Sequence, residues 1–269
     1  MKYLQLIIFF TLSTVFSQEI SYSLSAEYEV IWQPDSTNAK SKITTEKFVL
    51  YSSREKSLFI SSNRLALDTI IYKGANMGDL QKLMSMPQPS SNKRIYKYFD
   101  NNSVTVYNDI SSTLFKFNEM IKLDWKLHPD TIMVKNIVLK KATTNFKGRD
   151  YIAWYNEKIP YSDGPYKFFG LPGLIFKIYD TKKYFNYELV NYKTFDKKRS
   201  LIIGYDSNSK LTTKKQFNDS KKEFRVNPIP LMESEGAVFS EETKRIIRER
   251  FRKRNEKTNN PIELKEDDE

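Results

Sequence analysis

A strict alternation of apolar and polar residues near the N-terminus most strongly limits the fold of this 269-residue chain. Large apolar side chains or alanine occupy every second position from Tyr22 to Trp32, and serine or glutamate fills most of the positions between them. A period of two over this length is typical of a β-strand with one buried face. The fold is therefore expected to begin with a long, half-buried strand.

Further segments of strand character follow at short intervals, separated by turn residues. The predicted strands cover residues 43–51, 57–61, 69–73, 94–99, 104–107, 113–117, 174–179 and 184–192. No alternation of strand and helix is visible, which disfavours a parallel sheet. The expected fold class is mainly β: an antiparallel meandering sheet, curved or forming a partial barrel, with a short mid-chain helix and a C-terminal helix.

The predicted mid-chain helix lies between residues 74 and 92. Leu80, Leu83 and Met84 have helical spacing, and Pro87 and Pro89 end the segment. The methionines of this region would suit a flexible lid over an apolar pocket. A connecting helix that lies on the sheet is the favoured interpretation.

The C-terminal region predicts a basic helix followed by a tail. Ser240 suits the N-cap position, and Glu241 and Glu242 place negative charge in the first turn, where it interacts favourably with the helix dipole. The apolar stripe, which includes Ile246 and Phe251, is thin. A packed or solvated helix is therefore favoured over one that lies on an anionic membrane surface.

The first 17 residues have the features of a secretory signal peptide. Lys2 precedes an apolar run from Leu4 to Phe16, and Ser17 is a small residue at the expected cleavage point. The run is shorter than the roughly 20 apolar residues that a spanning helix needs, so cleavage is favoured over a retained anchor. We expect an exported protein, periplasmic or secreted, with no transmembrane anchor after cleavage.

The expected organisation is a signal peptide at 1–17, a single β-rich domain at 18–239, and a basic C-terminal helix and tail at 240–269. The sequence contains no cysteine, which excludes disulfides, thiolate chemistry and lipid attachment at the signal cleavage point. The formal net charge of +11 is dispersed along the chain. It indicates a solvated basic surface and not a nucleic-acid partner.

The most distinctive stretch of the sequence runs from residue 148 to residue 175. It contains a Gly-Pro bend at 164–165 and the hexapeptide Gly-Leu-Pro-Gly-Leu-Ile at 170–175. The two glycines of the hexapeptide permit positive φ or a close backbone approach, and its proline fixes φ. The stretch therefore predicts a rigid, apolar corner that leads into the strand at 174–179. Its candidate binding or structural residues are Arg149, Trp154, Tyr155, Pro160, Gly164, Pro165, Gly170, Leu171, Pro172, Gly173, Leu174 and Ile175.

This stretch resembles the GLPGLI family of exported bacterial proteins. Besides the hexapeptide, the resemblance is carried by Trp125, Lys141-Ala142, Phe146, Gly148-Arg149, Ala153-Trp154-Tyr155, Ile159-Pro160, Gly164-Pro165 and the closing Asn260-Pro261-Ile262. Its specific part spans about Lys140 to Asp180. Members often carry a cysteine shortly before the Lys-Ala pair, at the place where this chain has Leu139, so no redox or disulfide role is implied. The resemblance implies a compartment and a class of protein, without an established activity.

Few residues offer catalytic or metal chemistry. The single histidine, His128, is expected in an exposed turn with Asp130 close by, and a catalytic role is disfavoured because no Gly-x-Ser-x-Gly elbow occurs. A zinc site would need further histidines. No calcium-binding loop pattern occurs. We expect no metal and no cofactor, and for Arg149 a structural ion pair is favoured over an anion site.

Three hypotheses for function remain. The favoured one is a non-catalytic envelope module that binds a protein or an apolar ligand through its aromatic face and the motif corner. The second is a hydrolase that uses a carboxylate pair, either Asp150 with Glu157 or Glu157 with Asp163. The third is a carrier of an apolar ligand such as a lipid. The missing nucleophile, metal and histidine set favours a protein that is not an enzyme.

Overall fold

The computed structural model describes residues 18–38, 41, 43–73, 76–203 and 209–265. The predicted signal peptide lies outside these residues. The strands are β1 (Gln18–Trp32), β2 (Thr44–Ser52), β3 (Lys56–Ser61), β4 (Arg94–Tyr98), β5 (Ser103–Ile110), β6 (Thr113–Met120), β7 (Lys126–Val134), β8 (Ile137–Phe146), β9 (Arg149–Asn156), β10 (Leu174–Asp180), β11 (Phe185–Ile203) and β12 (Lys210–Leu211). The helices are α1 (Ser62–Lys73), α2 (Met77–Ser85), α3 (Lys214–Val226), α4 (Ile229–Ser234) and α5 (Glu241–Glu256).

All of these strands belong to one open sheet with the order β12-β6-β5-β4-β3-β2-β1-β11-β10-β9-β8-β7. Neighbouring strands are antiparallel except for β12, which runs parallel to β6. Two meanders, β1 to β6 and β7 to β11, are joined where β1 pairs with β11. The predicted fold class, a mainly antiparallel meandering sheet with a mid-chain and a C-terminal helix, is confirmed.

The two meanders share one hydrophobic interior, so the sheet curves around its own core. Val106 on β5 and Ala153 on β9 belong to the same buried cluster, although their strands lie in different meanders. The alternation in β1 supplies the centre of this cluster, because Leu24, Ala26 and Tyr28 are fully buried there. The period-two prediction for the first strand is therefore confirmed.

Both predicted helices form, with capping residues at their N-termini. Asn76 caps α2 in a reciprocal pair of hydrogen bonds with Asp79, and the Ser240 hydroxyl accepts from the Thr243 amide at the start of α5. Within the described residues, none of the helices combines the length and the apolar character that a membrane span requires.

The strand predicted at 69–73 is wrong, because these residues form the end of α1. The segment is rich in β-branched residues, but that preference is weak and packing decides the outcome. Arg64 and Asp68 pair at helical spacing, with 2.7 Å between their charged atoms. Ile70 is buried, and Asp68 accepts hydrogen bonds from Arg94 of β4, so tertiary contacts select the helix.

The predicted position of His128 in an exposed turn is also wrong. The residue lies within β7, and a ring nitrogen is 2.8 Å from the Thr143 hydroxyl on β8. The Leu-His-Pro-Asp sequence resembles a turn. In the fold it coincides with an irregularity in the pairing of β7 with β8, between Leu127 and Thr131. Edge strands tolerate proline at such irregularities.

We predict that Gly173→Ala destabilises the protein far more than Gly170→Ala does. Both glycines have positive φ, at 146° and 92°. A Cβ on Gly173 would lie 2.1 Å from the backbone oxygen of Asn156, whereas a Cβ on Gly170 would meet nothing closer than 3.9 Å. We expect a loss of about 1–2 kcal/mol for Gly170→Ala from backbone strain alone. For Gly173→Ala, overlap adds to this strain, and we expect about 3 kcal/mol or more.

Urea denaturation of the two variants measures this difference. Equal losses of unfolding free energy would contradict the account, because both positions would then respond to backbone conformation alone.

Candidate functional site

The predicted motif corner is the connection between β9 and β10, and most of it lies inside the protein. Eight of its candidate residues are buried: Arg149, Tyr155, Gly164, Pro165, Leu171, Gly173, Leu174 and Ile175. Trp154 is partly buried, and Pro160, Gly170 and Pro172 are exposed. The structure therefore brings the motif together mainly as an internal packing element.

An ion pair between Lys97 and Asp163 anchors the corner in the core. Both side chains are fully shielded from solvent. The Lys97 ammonium also donates to the Gly164 carbonyl at 2.5 Å, and the Asp163 carboxylate accepts from the Gly164 amide at 2.8 Å. Burial lowers the pKa of Lys97, and the neighbouring carboxylate opposes this shift. The pair fixes the backbone of the Gly-Pro bend.

Contact with the hexapeptide explains why the bend needs glycine at position 164. A Cβ there would lie 2.6 Å from the Cδ1 atom of Ile175. The Ile175 amide donates to the Asp163 carbonyl at 2.9 Å, and its carbonyl accepts from the Tyr28 hydroxyl at 2.6 Å. The bend, the hexapeptide and the first strand are thus joined by direct contacts.

Arg149 joins the C-terminal segment to the start of β9. Its guanidinium donates to the carbonyl of Pro261 at 2.6 Å and to the side-chain oxygen of Asn260 at 2.5 Å. It also pairs with the Asp180 carboxylate at 3.5 Å and lies 4.9 Å from the centre of the Phe185 ring. The guanidinium therefore has bonding partners within the protein on both of its sides.

The carboxylate pairs suggested by the sequence do not form. Asp150 and Glu157 lie near opposite ends of β9, and a strand rises about 3.3 Å per residue, which separates them by about 23 Å. A glycosidase pair requires a separation below about 10 Å. Glu157 is exposed and bonded to Lys140 at 2.6 Å, while Asp163 is buried against Lys97. Neither of the two carboxylate pairs that the hydrolase hypothesis requires is therefore present.

A cleft of about 900 Å³ lies between the inner face of the sheet, α3, the end of α5 and the C-terminal segment. Aromatic rings line one part of it, from Trp32, Phe117, Phe185 and Phe217. The cations along it are Lys93, Lys167, Lys214, Lys221, Lys222, Arg225 and Lys265. Its lining carboxylates are Asp219 and Glu263. The cleft thus combines an aromatic wall with an excess of positive charge.

A network of buried ion pairs holds one wall of this cleft. Lys214 lies 2.7 Å from Glu119 and 2.8 Å from Glu263, and Lys167 pairs with both of the same carboxylates. The Tyr166 hydroxyl donates to Glu263 at 2.5 Å. Burial acts to raise the pKa of Glu263, but the surrounding lysines hold it below its usual value. Glu263 therefore remains ionised, and both carboxylates are bonded to lysines.

Lys93 and Lys221 have no carboxylate partner within the described part of the chain. The Lys93 ammonium is 3.4 Å from the Tyr166 hydroxyl, and burial lowers the pKa of Lys93 to about 7. Lys167 and Lys221 strengthen this shift, which Glu263 opposes. The pKa of Lys221 is lowered by burial and then by Arg225. Their other contacts are with aromatic rings: the Lys93 ammonium lies 5.2 Å from the centre of the Tyr166 ring, and that of Lys221 lies 5.8 Å from the centre of the Phe217 ring.

The sequence alone did not predict the cleft, because the residues that line it are dispersed from position 32 to position 265. One local signal was present in α3. Lys214, Phe217, Lys221 and Phe224 follow at intervals of three or four residues, which places them on one face of a helix. Thr213 and Gln216 also form a capping box at its start.

Comparisons with known proteins agree with the fold and give no function. Residues 89–177 match the family described as "Protein of unknown function (Porph_ging)". The match covers less than half of the chain. It is consistent with a bacterial family and does not confirm GLPGLI in particular. A sequence search of curated proteins gives no match.

Two solved structures of PNGF-II, in space groups P21 and C2, resemble this fold with TM-scores of 0.53 and 0.50. Sequence identity is 14% in both, and the similarity covers 76% and 77% of this chain. The chain spans only 34% of the PNGF-II chain. At this identity the likeness concerns the fold alone.

We predict that Lys97→Met destabilises the protein by about 3–5 kcal/mol, because it leaves the Asp163 carboxylate buried without a counter-charge. The double variant Lys97→Met/Asp163→Asn should recover part of this loss. The matched control is Lys140→Met, which breaks the half-exposed pair with Glu157 and should cost less than about 1 kcal/mol. Urea denaturation of the three variants measures the losses. Similar losses in Lys97→Met and Lys140→Met would count against the buried pair.

Lys93 should give the folding free energy a pH dependence. Unfolding restores its ordinary pKa, so the unfolded chain binds more protons than the folded chain between pH 7 and about 10. The free energy of unfolding should rise with pH across this window, by at most about 1.4 kcal/mol per pH unit from this group. Lys93→Met should lack the contribution, while Lys122→Met, at a side chain 87% exposed, should keep it. Denaturation at pH 7, 8 and 9 tests this, and identical slopes in all three proteins would contradict it.

Proposed function

We propose that this chain is an exported, non-catalytic binding module that holds a small ligand in the cleft between the sheet and α3. The observation that carries the proposal is the cleft itself, with about 900 Å³ of space, an aromatic wall and an excess of cations. Its volume falls in the range of about 300–1,000 Å³ that ligand sites occupy. Its mixed lining suits a ligand with both an apolar and an anionic part.

The state of the carboxylates supports binding over catalysis. Glu263 and Glu119 are bonded to Lys167 and Lys214, and the pKa of Glu263 is held below its usual value. A general acid or base works best with a pKa near the pH of the reaction. These side chains instead stabilise the wall of the cleft.

The motif corner has a different part in this proposal from the one suggested by the sequence alone. Its buried residues position β10 and the C-terminal segment, and Arg149 bonds that segment at Asn260 and Pro261. The same segment lines the cleft through Ile262 and Glu263. The motif therefore holds in place a segment that forms part of the cleft wall. Export follows from the predicted signal peptide at 1–17.

Native mass spectrometry of protein purified from its own cells tests the proposal. We expect a mature chain that begins at Gln18 and carries a bound small molecule. Val226→Trp places a large ring at the exposed rim of the cleft and should reduce the bound fraction. Val238→Trp is the matched control, because Val238 is 94% exposed and is not among the residues that line the cleft.

Thermal melts of both tryptophan variants check that they remain folded. A ligand-free wild-type protein would contradict the proposal. Equal ligand content in Val226→Trp and Val238→Trp would also contradict it, because the ligand would then lie elsewhere.

A further inference from the structure

We infer that one end of the cleft is an anion subsite, in which Lys93 and Lys221 bind a phosphate group of the ligand, with Arg225 beside them. This inference rests on the proposed function, because the subsite belongs to the same cleft. It adds the chemical class of the ligand, a compound that joins a phosphate group to an apolar body.

The position of the two lysines is the first support. Lys93 directly precedes β4 and Lys221 lies on α3, so the two lysines come from separate elements, one of the sheet and one helical. Both line the 900 Å³ cleft and also an adjoining cavity of about 500 Å³. Arg225, Asn255 and Thr258 line both spaces as well. The lysines therefore face a shared space that is large enough for a ligand group.

The distribution of charge is the second support. Within the described residues, the cleft's carboxylates already have cations: Glu263 bonds Lys167 and Lys214, and Asp219 bonds Lys215 at 3.0 Å. Lys93 and Lys221 line the same two spaces, and the charge of Lys221 contributes to lowering the pKa of Lys93. Glu263 and Glu119 act on Lys93 from a distance, and a bound anion would add a negative charge that bonds the lysines directly.

Arg225 is held in position beside the lysines. Its guanidinium donates to the Asn255 side-chain oxygen at 3.0 Å and to the Thr258 hydroxyl at 2.8 Å. The Asn255 side chain donates in return to the Arg225 carbonyl at 2.5 Å. These bonds join α3 to the end of α5 and keep a third positive charge close to the subsite without side-chain rearrangement.

This arrangement fits a dianion better than a carboxylate. Several cations that face one space gain more from two negative charges and several acceptor oxygens than from a single charge. The aromatic wall formed by Trp32 and Phe217 offers space for an apolar body attached to the phosphate. A phospholipid headgroup and a soluble organic phosphate share this chemistry.

Calorimetric titrations at pH 6.5 with inorganic phosphate, phenyl phosphate and acetate test the subsite. We expect wild-type protein to bind phenyl phosphate more tightly than phosphate, and both more tightly than acetate. Lys93→Met and Lys221→Met should each weaken phosphate binding about tenfold or more, since each removes a charge-assisted hydrogen bond. Lys122→Met is the control and should bind like wild type. Thermal melts confirm folding, which Lys93→Met should preserve because it removes a buried charge.

Equal phosphate affinity in all four proteins, or binding of acetate as tight as that of phosphate, would overturn the subsite. Absence of phosphate binding in the wild type would overturn it as well. A native ligand that stays bound in the double variant Lys93→Met/Lys221→Met would overturn only the subsite and leave the proposed function standing.

Proton uptake provides a second readout that a purely structural role would not give. Tyr166, Lys167, Lys221, Glu119 and Glu263 surround Lys93, whose pKa is about 7. A bound anion favours the charged form, so binding of sulfate, which does not titrate near neutrality, should draw a proton onto Lys93 at pH 8. Titrations in buffers of different ionisation enthalpy measure this uptake. Uptake that is unchanged in Lys93→Met would contradict the assignment.

Vesicles that contain phosphatidylglycerol distinguish the two sources of the phosphate group. Co-sedimentation that depends on Lys93 and Lys221 would identify a lipid headgroup. Phenyl phosphate binding without co-sedimentation would identify a soluble compound. Either result supports the subsite.

Discussion

The buried ion pair of Lys97 with Asp163 is the interaction on which the shape of the molecule depends. Lys97 lies on β4, and Asp163 is held beside β10 because its carbonyl accepts from the Ile175 amide. The strands β4 and β10 are five steps apart in the sheet. At about 4.8 Å per step, a flat sheet would hold them about 24 Å apart. Their contact therefore requires the sheet to curve until its two meanders face each other. Since a charge buried without its partner is costly, the pair disfavours any flatter arrangement.

Buried charged groups also fix the position of the C-terminal segment. Arg149 bonds to Asn260 and Pro261, and the Asn260 side chain donates in turn to the Gln33 carbonyl at the end of β1. Glu263 then continues into the network with Lys167 and Lys214. The bonds of these buried charges thus hold the last residues of the described chain across the open side of the curved sheet. The cleft is the space that remains beneath them and α3.

The sequence predicted the fold well wherever burial repeats with a fixed period. In β1 every second side chain enters the core, and both the cap and the acidic first turn of α5 mark its start. Prediction failed where distant contacts decide. The end of α1 has strand-like composition, but its helix depends on the contact of Asp68 with Arg94, which lies 26 residues away. Periodicity contains no information about such a partner.

The candidate site was predictable only in part, for a related reason. The glycines of the motif were recognised from their conformational freedom, and Gly170 and Gly173 do have positive φ. The cleft depends instead on charges that come from separate segments, such as Lys93, Lys167 and Lys221. Each of them looks like an ordinary surface lysine in the sequence. Only the fold shows that Glu119 and Glu263 pair with Lys167, while Lys93 and Lys221 line the cleft without a carboxylate bonded to them in the described residues.

We propose that the motif shapes the protein and that the cleft binds the ligand. Backbone amide NMR spectra, recorded during a titration with phenyl phosphate, test this claim most directly. The shifts should concentrate at residues 93, 221, 225 and 255–258, while the amide signals of 170–175 should stay in place. Shifts confined to the hexapeptide, with the cleft unaffected, would contradict it.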